Sequence, residues 1–579
     1  MIDLKTKPFY LKDEDIAWVE DTIASMSLEE KIGQLFINLD TYLSRERMAE
    51  IFEKYHIGGC RYVNKSPEEI WEQNKFYQEH SKIPLLIAAN CDNGGDGACQ
   101  GGPLVASVAA CGASLSTEES YHAGLVSGAE GTALGCNWTF GPVLDILFNW
   151  RNTIVNTRAY SDSEDVVLRN AMAYMKGVWN APMAVCGKHF PGDGVEELDQ
   201  HLVMGVNDLD CDTWDRTFGK VYKAMIDGGL QSIMMGHIAL PSYSRKLRPG
   251  IKDEEIMPAT LAPELLQDLL RGRLGFNGLI LTDASHMAGM TTSAPRRVQV
   301  PGAIAAGADM YLYFNDHEED FQYMMAGYKT GIITPERLDD ALHRILGLKA
   351  SLGLHRKKAE GTLIPPRDGL SVIGCKKHIS YAEEAARHTI TLVKDTARAL
   401  PITPATHPRL KVYVVSSTPQ DRRYAPDPVR QIICEELEKA GFKVTVHKTF
   451  YDMERENPNP YNRIKAMAGE SAEAFRASYD AALIFVNIKG YAQENTTRLR
   501  WASGHSNEIP WYVKEVPTVA ISLNYTTHLL DLPMMQTYIN AYAPTRIVIR
   551  SVIRKIMGKE SFEGVYNETV FCGRWDTRR

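Results

Sequence analysis

No run of about 18 consecutive apolar residues occurs in the 579-residue chain, so the sequence predicts no membrane-spanning helix. The opening stretch, MIDLKTKPFYLKDEDIAWVED, holds no apolar core behind a basic head and does not read as a secretory leader. Basic charge is short as well. Sixty-four Lys and Arg stand against 72 Asp and Glu, a net charge of −8, and no basic stripe marks a nucleic-acid surface or attraction to a membrane. The ten cysteines (60, 91, 99, 111, 136, 186, 211, 375, 434 and 572) are scattered, and none forms a CxxC pair. That excludes a disulfide framework and points to reduced thiols in a cytoplasmic protein. Neither GxxxxGK[ST] nor GxGxxG is present, so any phosphate site is dispersed rather than built on a glycine-rich loop.

What is there reads as an ordinary globular enzyme of 44% hydrophobic and 23% charged residues, too long for one core. Eight short apolar runs bounded by turn residues fall in the first 320 positions: 33–39, 58–63, 84–90, 137–143, 183–189, 232–238, 278–284 and 309–314. Helical patterns lie between them. Ser27 and Glu30 have capping-box spacing, Pro67 suits a first helical turn, and Gly275 ends the pattern 262–275. Strand and helix alternating eight times predict a (β/α)8 TIM-like barrel over 1–354. A polar, Pro- and Gly-containing stretch then predicts a linker over 355–400. Runs at 411–417, 442–446, 481–488, 517–523 and 537–542 predict a smaller α/β sandwich or doubly wound domain over 401–579.

Barrel enzymes assemble their sites from the loops at the C-terminal ends of the strands. Here those ends carry Asp92, Asp145, Lys188, His189, His237, Asp283 and Asn315. Taken singly, each also serves as a strand cap; as a set they suit a polyhydroxyl substrate. Two segments are more specific. In CGKHFPGDGVEELDQH (186–201) the spacing D-x-H puts Asp199 and His201 on one side of an extended segment, where the carboxylate can orient the imidazole. Metal ligands use the same spacing, but no HExxH or second His/Cys cluster accompanies it. In LGFNGLILTDASHMAGM (274–290) an apolar strand delivers Asp283 to its end, as a structural ion pair or as a reacting group. Lys188 also admits a Schiff-base lyase, and the whole set admits a sugar-binding module without catalysis.

At these two segments the sequence resembles glycoside hydrolase family 3, within it the branch of bacterial β-N-acetylglucosaminidases. The loop is similar to the pattern K-H-F-P-G-H-G…D-S-H, and the strand to G-F-x-G-(VLI)-(VI)-x-(ST)-D. Further matches are FGPVLDI (140–146), VNTRAYSDS (155–163), MGHIALP (235–241) and ARHTITLVKDTARALPI (386–402). The resemblance implies that Asp283 is the nucleophile of a retaining mechanism and that Asp199–His201 is the acid/base dyad. It further implies that Asp92, Arg158, Lys188 and His189 hold sugar hydroxyls, with His237 near the same pocket. No metal or organic cofactor is implied. Three departures stand out. Asp193 replaces a His in the loop, NCDNGGDGAC replaces a D-Q-E-G-G-R run near Asp92, and Gln200 replaces the Ser of D-S-H. A Gln200 directed at the sugar's C2 substituent would exclude an acetamido group and favour β-glucosides, and Gln200→Ser would then raise activity on the acetamido sugar relative to the glucoside.

The acceptor that clears a glycosyl-enzyme is water or phosphate. An anionic acid/base carboxylate would oppose a phosphate dianion by about 4 kcal/mol at 4 Å in a partly screened site, whereas a neutral imidazole imposes no such cost. The expectation is therefore a cytoplasmic β-glycoside phosphorylase with inorganic phosphate as co-substrate, able to form a homo-oligomer. The alternative is a β-glucosidase or β-N-acetylglucosaminidase that uses water.

Overall fold

The computed structural model describes residues 2–40, 43–416, 426–490, 493–502 and 507–579. They divide into two units, one comprising the chain up to Val108 and Thr117–Ile379, the other Ala109–Ser116 and Ser380–Arg579.

In the first unit all eight apolar runs become strands: β1 (Phe36–Leu39), β2 (Gly59–Arg61), β3 (Leu86–Ala89), β4 (Trp138–Thr139), β5 (Ala184–Phe190), β6 (Ser232–Met235), β7 (Leu279–Ala284) and β8 (Met310–Leu312). They pair in parallel and close with β1 against β8. Strands covered on both sides need apolar residues at successive positions rather than alternate ones, and β3, β5 and β6 are buried along their whole length. The helix starts follow local chemistry. Ser27 accepts from the Glu30 N–H at 3.2 Å while the Glu30 carboxylate accepts from the Ser27 N–H at 2.9 Å, and Pro67 opens the helix Pro67–Glu79. The pattern before Gly275 forms a helix over Glu264–Arg273, but in π register: the Leu274 N–H reaches back to Leu269 O at 2.9 Å. Among the described residues no helix is long and apolar enough to cross a membrane, and none of the ten cysteines forms a disulfide.

The second unit is a six-stranded sheet of β9 (Thr391–Asp395), β10 (Arg409–Ser416), β11 (Lys443–Val446), β12 (Ala481–Asn487), β13 (Thr518–Ser522) and β14 (Thr537–Asn540). Its order is β9-β14-β13-β12-β10-β11, parallel except for β9. Alternate residues of β10 and β12, Tyr413, Val415, Ile484 and Val486, enter a core with Phe475 and Tyr512. The expected linker over 355–400 is corrected. Helix Leu354–Ala359 and the turn Arg367–Val372 belong to the first unit, the division falls within the helix Lys376–Thr389, and 391–395 is the edge strand β9. Its polar composition misled because its backbone is tied down: Trp71 Nε1 donates to Pro365 O at 2.9 Å, and the buried Glu130 accepts from the Gly374 N–H at 2.9 Å.

At the N-terminal end of the barrel the fully buried Asp309, just before β8, links β7 to the helices Glu264–Arg273 and Pro335–Ser351. It accepts from the Ile280 N–H and from Arg271, each at 2.8 Å, and also pairs with Arg337. Asp309→Ala strips the carboxylate from Arg271 and one of the two from Arg337, which keeps Asp340, in a nearly dry site, and is expected to lower stability by about 3–5 kcal/mol. Equilibrium urea denaturation checks this, and a loss below about 1 kcal/mol would contradict the assignment.

Candidate active site

The position of Asp283 is prepared by main chain. Thr282 Oγ1 accepts from the Leu312 N–H at 2.9 Å, which locks β7 to β8 just before Asp283. Asp283 Oδ1 accepts from the Ala284 N–H at 2.7 Å, and Oδ2 lies 3.9 Å from His189 Nε2. Burial opposes charge on Asp283, but His189 and His237 outweigh it and hold the carboxyl below its ordinary value. Asp283 is thus a carboxylate in a largely dehydrated mouth, with 14% of its side chain exposed.

Two imidazole–carboxylate pairs flank it. Asp199 Oδ1 stands 2.7 Å from His201 Nδ1 and also accepts from the His201 N–H at 2.8 Å. The short segment is therefore folded around its own carboxylate, and His201 Nε2 is the nitrogen left for proton exchange. Burial lowers the His201 pKa, yet Asp199 reverses the balance and the net shift is upward. The second pair was not foreseen as a site element. Asp145 Oδ2 stands 2.7 Å from His189 Nδ1, and Oδ1 accepts from the His189 and Asp193 N–H groups at 3.1 and 2.9 Å. Asp145 was visible in the sequence only as one of several strand-end polar residues.

Lys188 is buried and faces Asp92, with Nζ 3.2 Å from Oδ1 and 3.4 Å from Oδ2, while Arg158 approaches Oδ2 at 3.6 Å. Burial works against the Asp92 charge, but Lys188 and Arg158 hold its carboxyl below the ordinary value. Arg158 rides on the loop after β4, which a small apolar cluster of Leu147, Ile154, Val155 and Ala159 fixes. Gly194 lets that loop close on the turn after β5: its φ is +101°, and a Cβ there would stand 2.1 Å from Ile146 O. Asp92, Arg158, Lys188, His189, Asp199, His201 and Asp283 are thereby brought together as expected from the strand ends.

Two of the expected site residues have their polar atoms engaged within the protein. Gln200 is 1% exposed, and its amide is spent inside the protein: Nε2 donates to Asp193 Oδ2 at 3.3 Å, and Oε1 accepts from the His237 N–H at 2.8 Å. The expectation that it points at a C2 substituent is corrected to this extent: the amide turns to Asp193 and to the His237 N–H. His237 is fully buried with both ring nitrogens engaged, Nδ1 by Thr260 Oγ1 at 2.7 Å and Nε2 by Ala284 O at 3.0 Å. It braces the main chain beside Asp283 instead of touching a ligand. Sequence reasoning also missed His286 and Tyr313. The exposed His286 ring stacks on Tyr313 with centroids 6.3 Å apart. Burial pushes the Tyr313 hydroxyl up to about 12, with Arg61 opposing and Asp283 adding to the rise. The spacing D-A-S-H (283–286) was the available signal for His286. Among the described residues no group of three or more His, Cys, Asp or Glu is arranged to hold a metal ion.

Residues 27–348 match the family description "Glycosyl hydrolase family 3 N terminal domain". The chain is 40% identical over 580 residues to a β-N-acetylglucosaminidase/β-glucosidase of Cellulomonas fimi, covering 100% of both chains. Among solved structures it is similar to the β-glucoside phosphorylase BglX, at 37% identity and a TM-score of 0.90 over 99% of each chain. A family 3 β-N-acetylglucosaminidase from Paenibacillus sp. shares the fold at 22% identity and a TM-score of 0.75, over 93% of this chain and 98% of that one.

The dyad geometry sets an expectation for titration. Because Asp199 raises the His201 pKa against burial, the native ring should titrate above the ordinary histidine value of 6.5. In Asp199→Asn burial is no longer countered by that carboxylate, and the midpoint should fall. NMR of ring-labelled histidine reads both; an unchanged midpoint would refute the pairing.

Proposed function

We propose, since this chain belongs to glycosyl hydrolase family 3, that it is a retaining β-glycoside phosphorylase acting on β-glucosides. In the first step Asp283 Oδ2 attacks the anomeric carbon while His201 passes its Nε2 proton to the departing oxygen. This leaves a glycosyl ester on Asp283 and a neutral imidazole. In the second step a phosphate oxygen attacks the same carbon, Asp283 departs as carboxylate, and His201 takes up the proton released by the phosphate. Two inversions return the β configuration, as glucose 1-phosphate. Lys188, Asp92, Arg158 and His189 are the groups proposed to hold the sugar hydroxyls.

The observation that carries the choice of phosphate is the identity of the proton carrier. It is the imidazole of the 2.7 Å His201–Asp199 pair, with no carboxylate in its place. After the first step that group is neutral, whereas a carboxylate would be an anion facing another anion at a cost of about 4 kcal/mol at 4 Å. Arg158 adds to this reading: it is one-third exposed and near enough to oppose Asp199 in setting the His201 pKa. The β-glucoside assignment rests on the two full-length likenesses, whose printed names include β-glucosidase and β-glucoside phosphorylase. Hydrolysis of β-glucosides or β-N-acetylglucosaminides is the second reading, favoured by the name of the Cellulomonas fimi relative.

Turnover of phenyl β-glucoside with and without inorganic phosphate separates the two. Phosphorolysis predicts acceleration of about tenfold or more by millimolar phosphate, with β-glucose 1-phosphate as the sugar product. Free glucose at a rate indifferent to phosphate would overturn it and leave a hydrolase.

A further inference from the structure

We propose that Gln200 and Asp193 are positioning residues that hold the Asp199–His201 segment at the height of Asp283, acting on the proton carrier rather than on the sugar. Both positions depart from the family pattern, and the structure shows that they touch: Gln200 Nε2 donates to Asp193 Oδ2 at 3.3 Å. A serine at position 200, with one side-chain carbon, would not span that gap.

The segment is fastened at three strand ends. Beyond β5 it meets Asp193. Beyond β6 the His237 N–H donates to Gln200 Oε1 at 2.8 Å. Beyond β7 the Ala288 and Gly289 N–H groups donate to the carbonyls of His201 and Gln200 at 3.0 and 3.1 Å. Asp193 in turn is held by Asn152 Nδ2 at 2.9 Å and by the Gly194 N–H at 2.6 Å, and its own N–H donates to Asp145 at 2.9 Å. Asp145 is the carboxylate that orients His189. One network therefore joins both imidazole–carboxylate pairs to the strand that carries Asp283.

Gln200 and Asp193 are 1% and 6% exposed, so solvent does not replace these bonds when they are removed. The fit is close in the main chain too. A Cβ on Gly289 would stand 2.6 Å from Gln200 O and 2.9 Å from His237 Cβ. A proton carrier displaced by about 1 Å loses on the order of 10²-fold in rate, so a network spent on holding one imidazole has a catalytic effect without touching substrate.

The inference rests on the glycosyl-transfer reading, and its test is built to fail separately from it. The proton of His201 matters for a poor leaving group such as phenol and hardly at all for dinitrophenol, which departs as a stable anion. Gln200→Ala is expected to lower kcat/KM for phenyl β-glucoside by roughly 10²-fold and for dinitrophenyl β-glucoside by less than about fivefold. Asp193→Asn, which keeps the size and one acceptor oxygen, should show the same selectivity with a smaller loss. Equal losses on both substrates in both variants would mean a merely structural role and overturn the proposal. So would full activity on both, or a change that follows the C2 substituent in place of the leaving group. If Asp283→Ala turned over dinitrophenyl β-glucoside as the native protein does, the glycosyl-transfer reading itself would fall.

Discussion

Keeping a carboxylate ionised in a nearly dry barrel mouth is the constraint around which the catalytic end of the first unit is organised. Water would stabilise Asp283 freely, but little of it reaches a side chain that is only 14% exposed, so the protein supplies the stabilisation itself. It does so with one main-chain N–H on Oδ1 and with imidazoles facing the charge. Those rings must be oriented in turn, which explains why each has a fixed partner: Asp145 for His189, Asp199 for His201, and Thr260 with Ala284 O for His237. The same demand recurs at Asp92, where Lys188 and Arg158 offset the cost of burial.

The barrel was legible because buried parallel strands are written as continuous apolar runs, a pattern that survives without neighbours or alignment. Strands β4 and β8 are only two and three residues long, yet the runs at 137–143 and 309–314 marked them. The polar residues of the barrel mouth were legible for a related reason: a polar residue at the end of an apolar run, such as Asp283 after LILT, is conspicuous. What the sequence does not encode by period is the direction of a side chain in a loop. Gln200 lies between Asp199 and His201, and nothing local says that its amide turns back into the protein toward Asp193. His237 is alike in this: nothing local says that both of its ring nitrogens are engaged within the protein.

The misplaced linker has another cause. Between 355 and 400 the composition is polar and rich in turn residues, the usual mark of a free connection. A stretch is free only if its backbone groups have no fixed partners, and here Pro365 O and the Gly374 N–H are both taken by side chains far away in sequence, Trp71 and Glu130. Composition reports what a segment is able to do alone; it is silent about distant donors.

The three anchors of the His201 segment lie on successive strands, and the groups around them come from β3 to β7. A chain that has produced only its first 200 residues already contains Asp92, Arg158, Lys188 and His189, yet it has neither the strand whose end pins Gln200 nor Asp283. The mouth of the barrel is thus completed late and all at once during synthesis, and a nicked or half-formed barrel carries the Asp92, Lys188 and Arg158 cluster without Asp283 beside it.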